Sequence, residues 1–180
     1  MLPELANALP LHGDIVDLCR FGSSDITDAY ICWLNDPEVT QFSNQRFLKH
    51  DHDSSMRYLA TFYNSDNLFL SVRRSDNGQA IGTMTVYFSP RNGTADVGIL
   101  IGERTVWGMG YGQDAWSTVV DWLSCHEAIR KVTAGTLASN QGMITLMERS
   151  GMELEAVRKN QEIVAGKPVD ILYYAKWHAS

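Results

Sequence analysis

Gly108, Gly110 and Gly112 fall at alternate positions in the stretch RTVWGMGYGQDA, residues 104–115. An apolar run precedes them and an amphipathic pattern follows. The run reads as a strand and the pattern as a helix, so the glycines occupy the turn that opens the helix. The first turn of a helix leaves its N–H groups unpaired and carries partial positive charge. A turn without Cβ atoms lets an anion reach those amides, and phosphate is the anion such turns favour. Close strand–helix packing is the other use of glycines so spaced. The chemistry on offer is recognition of a pyrophosphate.

Such a turn needs elements on either side. Residues 11–21, LHGDIVDLCRF, read as a first strand with Ile15, Val16, Leu18 and Phe21 as its apolar members. Residues 25–34 read as a short helix capped by Asp25, with Ile26, Ala29, Tyr30 and Trp33 on one face. Asn35-Asp36-Pro37 ends it, because a residue before proline avoids the helical region. The following loop, EVTQFSNQRFLKH, is long enough to mark function. Residues 53–64 read as a second helix capped by Asp53 or Ser54. Three consecutive strands follow over 67–74, 79–88 and 94–102, the first two joined by the hairpin signal Asp76-Asn77-Gly78. A long helix is expected over 110–126 with Ala115, Val119, Trp122 and Leu123 inward, then a strand over 130–137. A helix over 140–150 stops at Gly151, and the tail forms a hairpin turning at Gly166-Lys167. Antiparallel hairpins around one strand–helix–strand crossover predict an α/β fold with a mixed, mostly antiparallel sheet.

The chain has 180 residues, 44% apolar and 20% charged, which suits a single soluble domain spanning 1–180. A net charge of −6 without a basic cluster argues against nucleic acid as a partner. Beyond keeping the chain in solution, that charge leans toward a neutral or cationic substrate. Cys19, Cys32 and Cys125 are odd in number and widely spaced, so they read as free thiols of a cytoplasmic protein. The opening MLPELANALP lacks the pattern of a signal peptide, and no stretch approaches the roughly 20 apolar residues of a membrane span. No membrane partner is expected. HDHD at 50–53 reads as a loop start and helix cap in preference to a metal site, and no metal is expected.

Three phosphate-binding patterns compete for the glycines. A P-loop needs Gly-Lys-Ser/Thr, but Gln113 and Asp114 follow Gly112. A dinucleotide fold places its glycines after the first strand of repeated βαβ units, whereas these follow four predicted strands. The third pattern fits. TADVGILIGERTVWGMGYGQDAW, then KVTAG, then an Asn140-led helix ending at Ser150-Gly151, resembles the GNAT superfamily of N-acetyltransferases. WLNDPEV at 33–39 is similar to its RimJ/RimL-like branch, and the resemblance runs over roughly residues 11 to 177.

That resemblance implies a twisted sheet of about seven strands flanked by about four helices. Two adjacent parallel strands in its middle, 94–102 and 130–137, splay apart. It implies acetyl-CoA as co-substrate. Trp107-Gly108-Met109-Gly110-Tyr111-Gly112 stands at the family's Q/R-x-x-G-x-G/A signature, with Trp107 in place of Gln/Arg. Amides from about Gly108 to Gln113 would hold the pyrophosphate. The main chain of Ile99, Leu100 and Ile101 would pair with the pantetheine arm like an added strand. Asn140 would contact the cofactor, cap the 140–150 helix, or do both. Gly98 would allow a bulge or a close approach.

The implied reaction moves an acetyl group from a thioester to a primary amine by direct transfer. A protonated amine has no lone pair, so a base must take its proton. Asp96 is the candidate base; a solvated strand-end aspartate is its alternative. Glu103 is a weaker one. Many relatives carry a tyrosine acid where LMERSGM here has Met147, which leaves Tyr173, Tyr174, a water or no acid at all. A thiolate is a fair leaving group near neutral pH. The acceptor would be walled by Trp33, Asn35, Phe42, Arg46, Phe47 and Tyr87, with Arg46 a partner for a nucleotide phosphate or a surface residue. A nucleotide-linked amino sugar is the first acceptor reading, followed by the N-terminal amine of a ribosomal protein and then a polyamine. A non-catalytic acyl-CoA sensor is the reading from another class, and pairing of exposed sheet edges would make a homodimer.

Overall fold

The computed structural model describes residues 8–178, so most of the opening segment read for a signal peptide lies outside it. Eight strands form one sheet in the order β1-β2-β3-β4-β5-β6-β8-β7. They are β1 Leu11–His12, β2 Val16–Arg20, β3 Leu68–Arg74, β4 Ala80–Ser89, β5 Thr94–Ile101, β6 Lys131–Leu137, β7 Glu153–Val164 and β8 Lys167–Trp177. Among the described residues five α-helices accompany them: α1 Asp28–Asn35, α2 Pro37–Thr40, α3 His52–Tyr63, α4 Tyr111–Ser124 and α5 Gln141–Arg149. β5 and β6 are the parallel pair; every other neighbour is antiparallel. A crossover through α4 makes that pair parallel, because a tight turn can join only antiparallel strands.

The expected first strand is two. Gly13 donates to the Val16 carbonyl, turning the chain so that β1 pairs with β2. The carboxylate of Asp114, in the first turn of α4, fastens the turn. It accepts from the amides of Asp14, Ile15 and Val16 at 3.0, 2.8 and 3.0 Å. Asp25 does not cap α1; Thr27 does. Asp25 instead lies buried against Arg73, 2.5 Å away, and holds the Gly22 amide. Pro37 ends α1 as expected but also opens α2, with Asp36 accepting from the Glu38 amide. Proline suits a first helical position because no N–H partner is needed there. The cap of α3 is Asp51, in a capping box with Ser54, two or three residues before the expected Asp53 or Ser54. The last turn is Ala165-Gly166, one residue before the expected one.

Each face of the sheet has its own core. On one, α4 lays Ala115, Trp116, Val119, Val120 and Leu123 against Val16, Leu18, Ala95, Val97 and Val132. Trp116 is wholly buried, while Trp122, the expected inward tryptophan, is only partly so. On the other face α1 and α3 pack Tyr30, Leu34, Leu59 and Phe62 around Phe21 and Phe69. Phe69 stacks on Phe21 and on Phe62, with centroids 4.1 and 5.1 Å apart. The middle of the sheet is therefore covered on both sides, and any opening there is a site.

Candidate active site

β5 and β6 pair only from Thr94–Lys131 to Asp96–Thr133. Beyond that point β5 runs on to Ile101 and β6 to Leu137 with no pairing between them. The strands part, and the β6 side of residues 97–101 is left without a strand partner. Gly98 forms no bulge, since the β4–β5 register is regular; a Cβ there would come within 2.9 Å of Thr85 Oγ1.

A cleft of about 640 Å³ opens on this gap. Its lining includes Ile99, Leu100, Ile101, Trp107, Gly108, Gly110, Gly112, Gln113 and Asn140. Gly108 and Gly110 have φ of +75° and +93°, a region that side chains resist, so glycine is required at both. The resulting turn aims the start of α4 into the cleft. The amides of Gly108, Gly110, Tyr111, Gly112 and Gln113 find no acceptor among the described residues. Buried Gln113 Oε1 is likewise unpartnered, although its Nε2 donates to Ser117 and Ser150 at 3.0 and 3.1 Å. Open donors at a helix start, together with a buried acceptor beside them, fit a pyrophosphate carrying an amide-bearing arm.

Not every residue expected here serves in the same way. The Trp107 and Met109 amides donate back to Arg104 and Val106, so neither is open. Met109 is exposed, and Met109 and Tyr111 do not line the cleft with their side chains. The Ile101 carbonyl accepts from Trp107 Nε1 at 2.8 Å, leaving Ile99 and Leu100 as the freer stretch of edge. Asn140 caps α5 by accepting from the Met143 amide at 3.1 Å, and it also lines the cleft.

A second cavity, of about 590 Å³, lies on the other side of β5 and is lined by Thr83, Thr85, Gly98 and Leu100 of the sheet. Tyr30, Ser43, Gln45, Lys49, His50, Ser54, Ser55 and Tyr58 complete most of its wall. Ser43, Ile99 and Leu100 line both spaces, so the two meet across β5. Burial pushes the Tyr30 hydroxyl up to about 12, which keeps it a neutral donor. Burial and a 2.8 Å hydrogen bond to Tyr87 also raise Tyr58.

Asp96 stands where the two strands part, paired across to Tyr87 on β4 and two residues from Gly98. Its surface is open to solvent, yet it lies over the middle of the sheet, where protein displaces much of its hydration. That burial raises its pKa; the hydrogen bond from Thr133 Oγ1 at 2.7 Å opposes the rise. Glu103 is occupied capping the turn at Thr105. Met147 is fully buried in the core, and Tyr174 is buried and donates to Glu148 at 3.1 Å. The Tyr173 ring lies over Gly135 of β6. None of the three cysteines lines either space. No cluster of three or more metal-ligating side chains occurs among the described residues.

Most of the expected acceptor residues are committed elsewhere. Asn35 spends its amide on the Ile31 carbonyl and on both main-chain groups of His50, clamping the loop before α3. Trp33 packs beneath Gly102, where a Cβ would meet its ring at 2.2 Å. Arg46 donates to the Ser43 carbonyl at 2.8 Å and reaches Glu162 of β7 at 3.6 Å; it lines neither space. Phe47 is exposed beneath the Arg46 guanidinium. Phe42 lines the cleft instead of the cavity, and Tyr87 reaches the cavity through Tyr58. The polar wall of hydroxyls is absent from the expected acceptor residues except at Tyr87. One signal for it was present: Thr83, Thr85 and Tyr87 alternate with Met84 and Val86 along β4, which puts a polar face in mid-sheet.

Residues 17–153 match the family described as acetyltransferase (GNAT) domain. No curated protein sequence matches the chain. Among solved structures, the RimL ribosomal L7/L12 alpha-N-protein acetyltransferase in complex with coenzyme A superposes with a TM-score of 0.80 at 15% identity. That match covers 94% of this chain and 97% of the other. The microcin C7 self-immunity acetyltransferase MccE, with acetyl-CoA and AMP, gives 0.76 at 17% identity over 91% and 93%. Spermidine N-acetyltransferase from Vibrio cholerae, with CoA and spermine, gives 0.78 at 14% identity over 91% and 95%.

Proposed function

The chain belongs to the GNAT acetyltransferase family, and from that premise we propose that it transfers the acetyl group of acetyl-CoA directly to a primary amine held in the second cavity. The observation that carries this reading is the meeting of two spaces at Ile99 and Leu100. One is floored by open helix amides, the other is walled by hydroxyls, and unpaired strand edge lies between them. Gly108, Gly110, Gly112 and Gln113 hold the pyrophosphate, and Ile99 and Leu100 align the arm. Bound acetyl-CoA supplies an activated thioester carbonyl. Asp96 takes the amine's proton, directly or through a water, and its raised pKa makes its ionised form the stronger base. The thiolate leaves without a dedicated acid, since Met147 has no proton to give and Tyr174 is engaged by Glu148.

The acceptor is an amine on a small molecule or a peptide end, which a cavity of about 590 Å³ accommodates. A nucleotide-linked amino sugar has less support than its sequence resemblance implied, because Arg46 lines neither space. A polyamine is disfavoured, because no carboxylate lines the cavity among the described residues.

Calorimetry with acetyl-CoA tests the cleft. Gly110→Asp should abolish binding, through both a strained φ and a carboxylate set against the pyrophosphate. A second variant, Gly112→Glu, places the charge where φ is ordinary, so a folded protein results. Unchanged affinity in that variant removes the turn from the site.

A further inference from the structure

The cavity wall is asymmetric in charge. Lys49 and His50 line it, and among the described residues no Asp or Glu does. Lys49 has no ion-pair partner among those residues. Both residues lead directly into α3, a helix of 12 residues whose N-terminal turn brings Ser54 and Ser55 to the same wall. Two buried polar atoms there lack any partner: Ser55 Oγ, on a residue only 4% exposed, and His50 Nε2. A buried donor left unpaired costs free energy, so an orphaned hydroxyl and imidazole on a cavity wall point to a ligand that bonds them. Asp51 occupies the Ser54 amide as cap, but its side chain does not line the cavity.

The other end of the same wall differs. Tyr58, one turn further along α3, is hydrogen-bonded to Tyr87, which pairs with Asp96. The cavity therefore has a basic, donor-rich end at Lys49, His50 and Ser55; Asp96 lines neither space but stands on β5 two residues before Gly98, which does line the cavity. A polycation has no counter-charge at the basic end.

We propose that the acceptor amine carries an anionic group, carboxylate or phosphate, that seats on Lys49, His50 Nε2 and Ser55 Oγ at the start of α3 while the amine points toward Asp96. This rests on the acetyltransferase reading of the cavity. Charge-assisted hydrogen bonds to such a group are shorter and stronger than neutral ones, so the seat selects as well as orients.

The test compares matched amines with acetyl-CoA, following free thiol: ethanolamine against phosphoethanolamine, tyramine against tyrosine, and spermidine as the polycation. The anionic member of at least one pair should show kcat/KM higher by about tenfold or more. The pair that responds distinguishes phosphate from carboxylate. In Lys49→Ala/Ser55→Ala the preference should fall toward unity. Equal rates within both pairs, or preference for spermidine, overturn the proposal. If none of these amines reacts, a binding readout decides. With CoA saturating the cleft, inorganic phosphate is titrated while the His50 imidazole is followed by NMR. A saturable shift that is lost in the double variant supports the seat; no shift up to roughly 50 mM overturns it. Failure of acetyl-CoA to bind in calorimetry would instead count against the acetyltransferase reading; the phosphate titration, run without CoA and read at His50, would still test the seat.

Discussion

Asp96, the proposed base, carries a stability cost on the same side chain. Burial raises its pKa, so ionising it is harder in the folded chain than in the unfolded one. Its contribution to stability is present below the ordinary carboxylate pKa and is lost as pH rises through the raised folded value. At neutral pH, Asp96→Asn should therefore leave the melting temperature unchanged or higher, with Thr133 still hydrogen-bonded to the amide oxygen. The same variant should lower kcat by about 100- to 10,000-fold while leaving acetyl-CoA affinity unchanged. In the native chain kcat should fall as pH drops through the raised pKa, because a protonated carboxyl cannot accept the amine's proton. That acid limb should be missing from the Asn variant. Full activity in Asp96→Asn would move the base elsewhere.

At the scale of elements, α4 does two jobs from one turn. Its first amides face the cleft, and four residues past the Gly110 cap Asp114 gathers three main-chain N–H groups of the 13–16 turn. Removing one acceptor from three donors is costly because all three must find water or stay unpaired. Asp114→Ala should cost about 2 kcal/mol. For a chain of this size that lowers the melting temperature by roughly 4–8 °C. An unchanged melting temperature would show that β1 and β2 hold the turn unaided. The loop before α3 has the same logic: the Asn35 amide grips His50 at both main-chain groups, which sets where the basic end of the cavity lies.

The whole molecule brings its ligand to a seam. The cleft draws residues from β5, from the start of α4 and from α5, and α2 and Phe42 close one side. A ligand that binds the folded chain and not the unfolded one shifts the unfolding equilibrium, so acetyl-CoA at about a hundred times its Kd should stabilise the fold by about 2.7 kcal/mol. The expected rise in melting temperature is roughly 5–10 °C; no rise would mean that acetyl-CoA does not bind the folded chain. Net charge works at this scale too. A total of −6 leans toward a neutral or cationic substrate, while the second cavity presents Lys49 and His50 and no carboxylate among the described residues. Substrate recognition follows the charges within a few ångströms, since solvent screens the rest.

The family was legible in the sequence as a resemblance, and most of the order of elements and the glycine turn were legible residue by residue. The elements and the turn rest on local chemistry: apolar periodicity, glycines at positive φ, and caps such as Asn140 that act within three residues. The acceptor side was not legible. Asn35, Trp33 and Arg46 are of the right types, but their partners are His50, Gly102 and Glu162, contacts made across the fold. Residue type states what a side chain can bond; only the tertiary structure decides which partner reaches it first. Hydroxyls on β4 and α3 are separate along the chain and share one cavity wall only because α3 packs over the sheet.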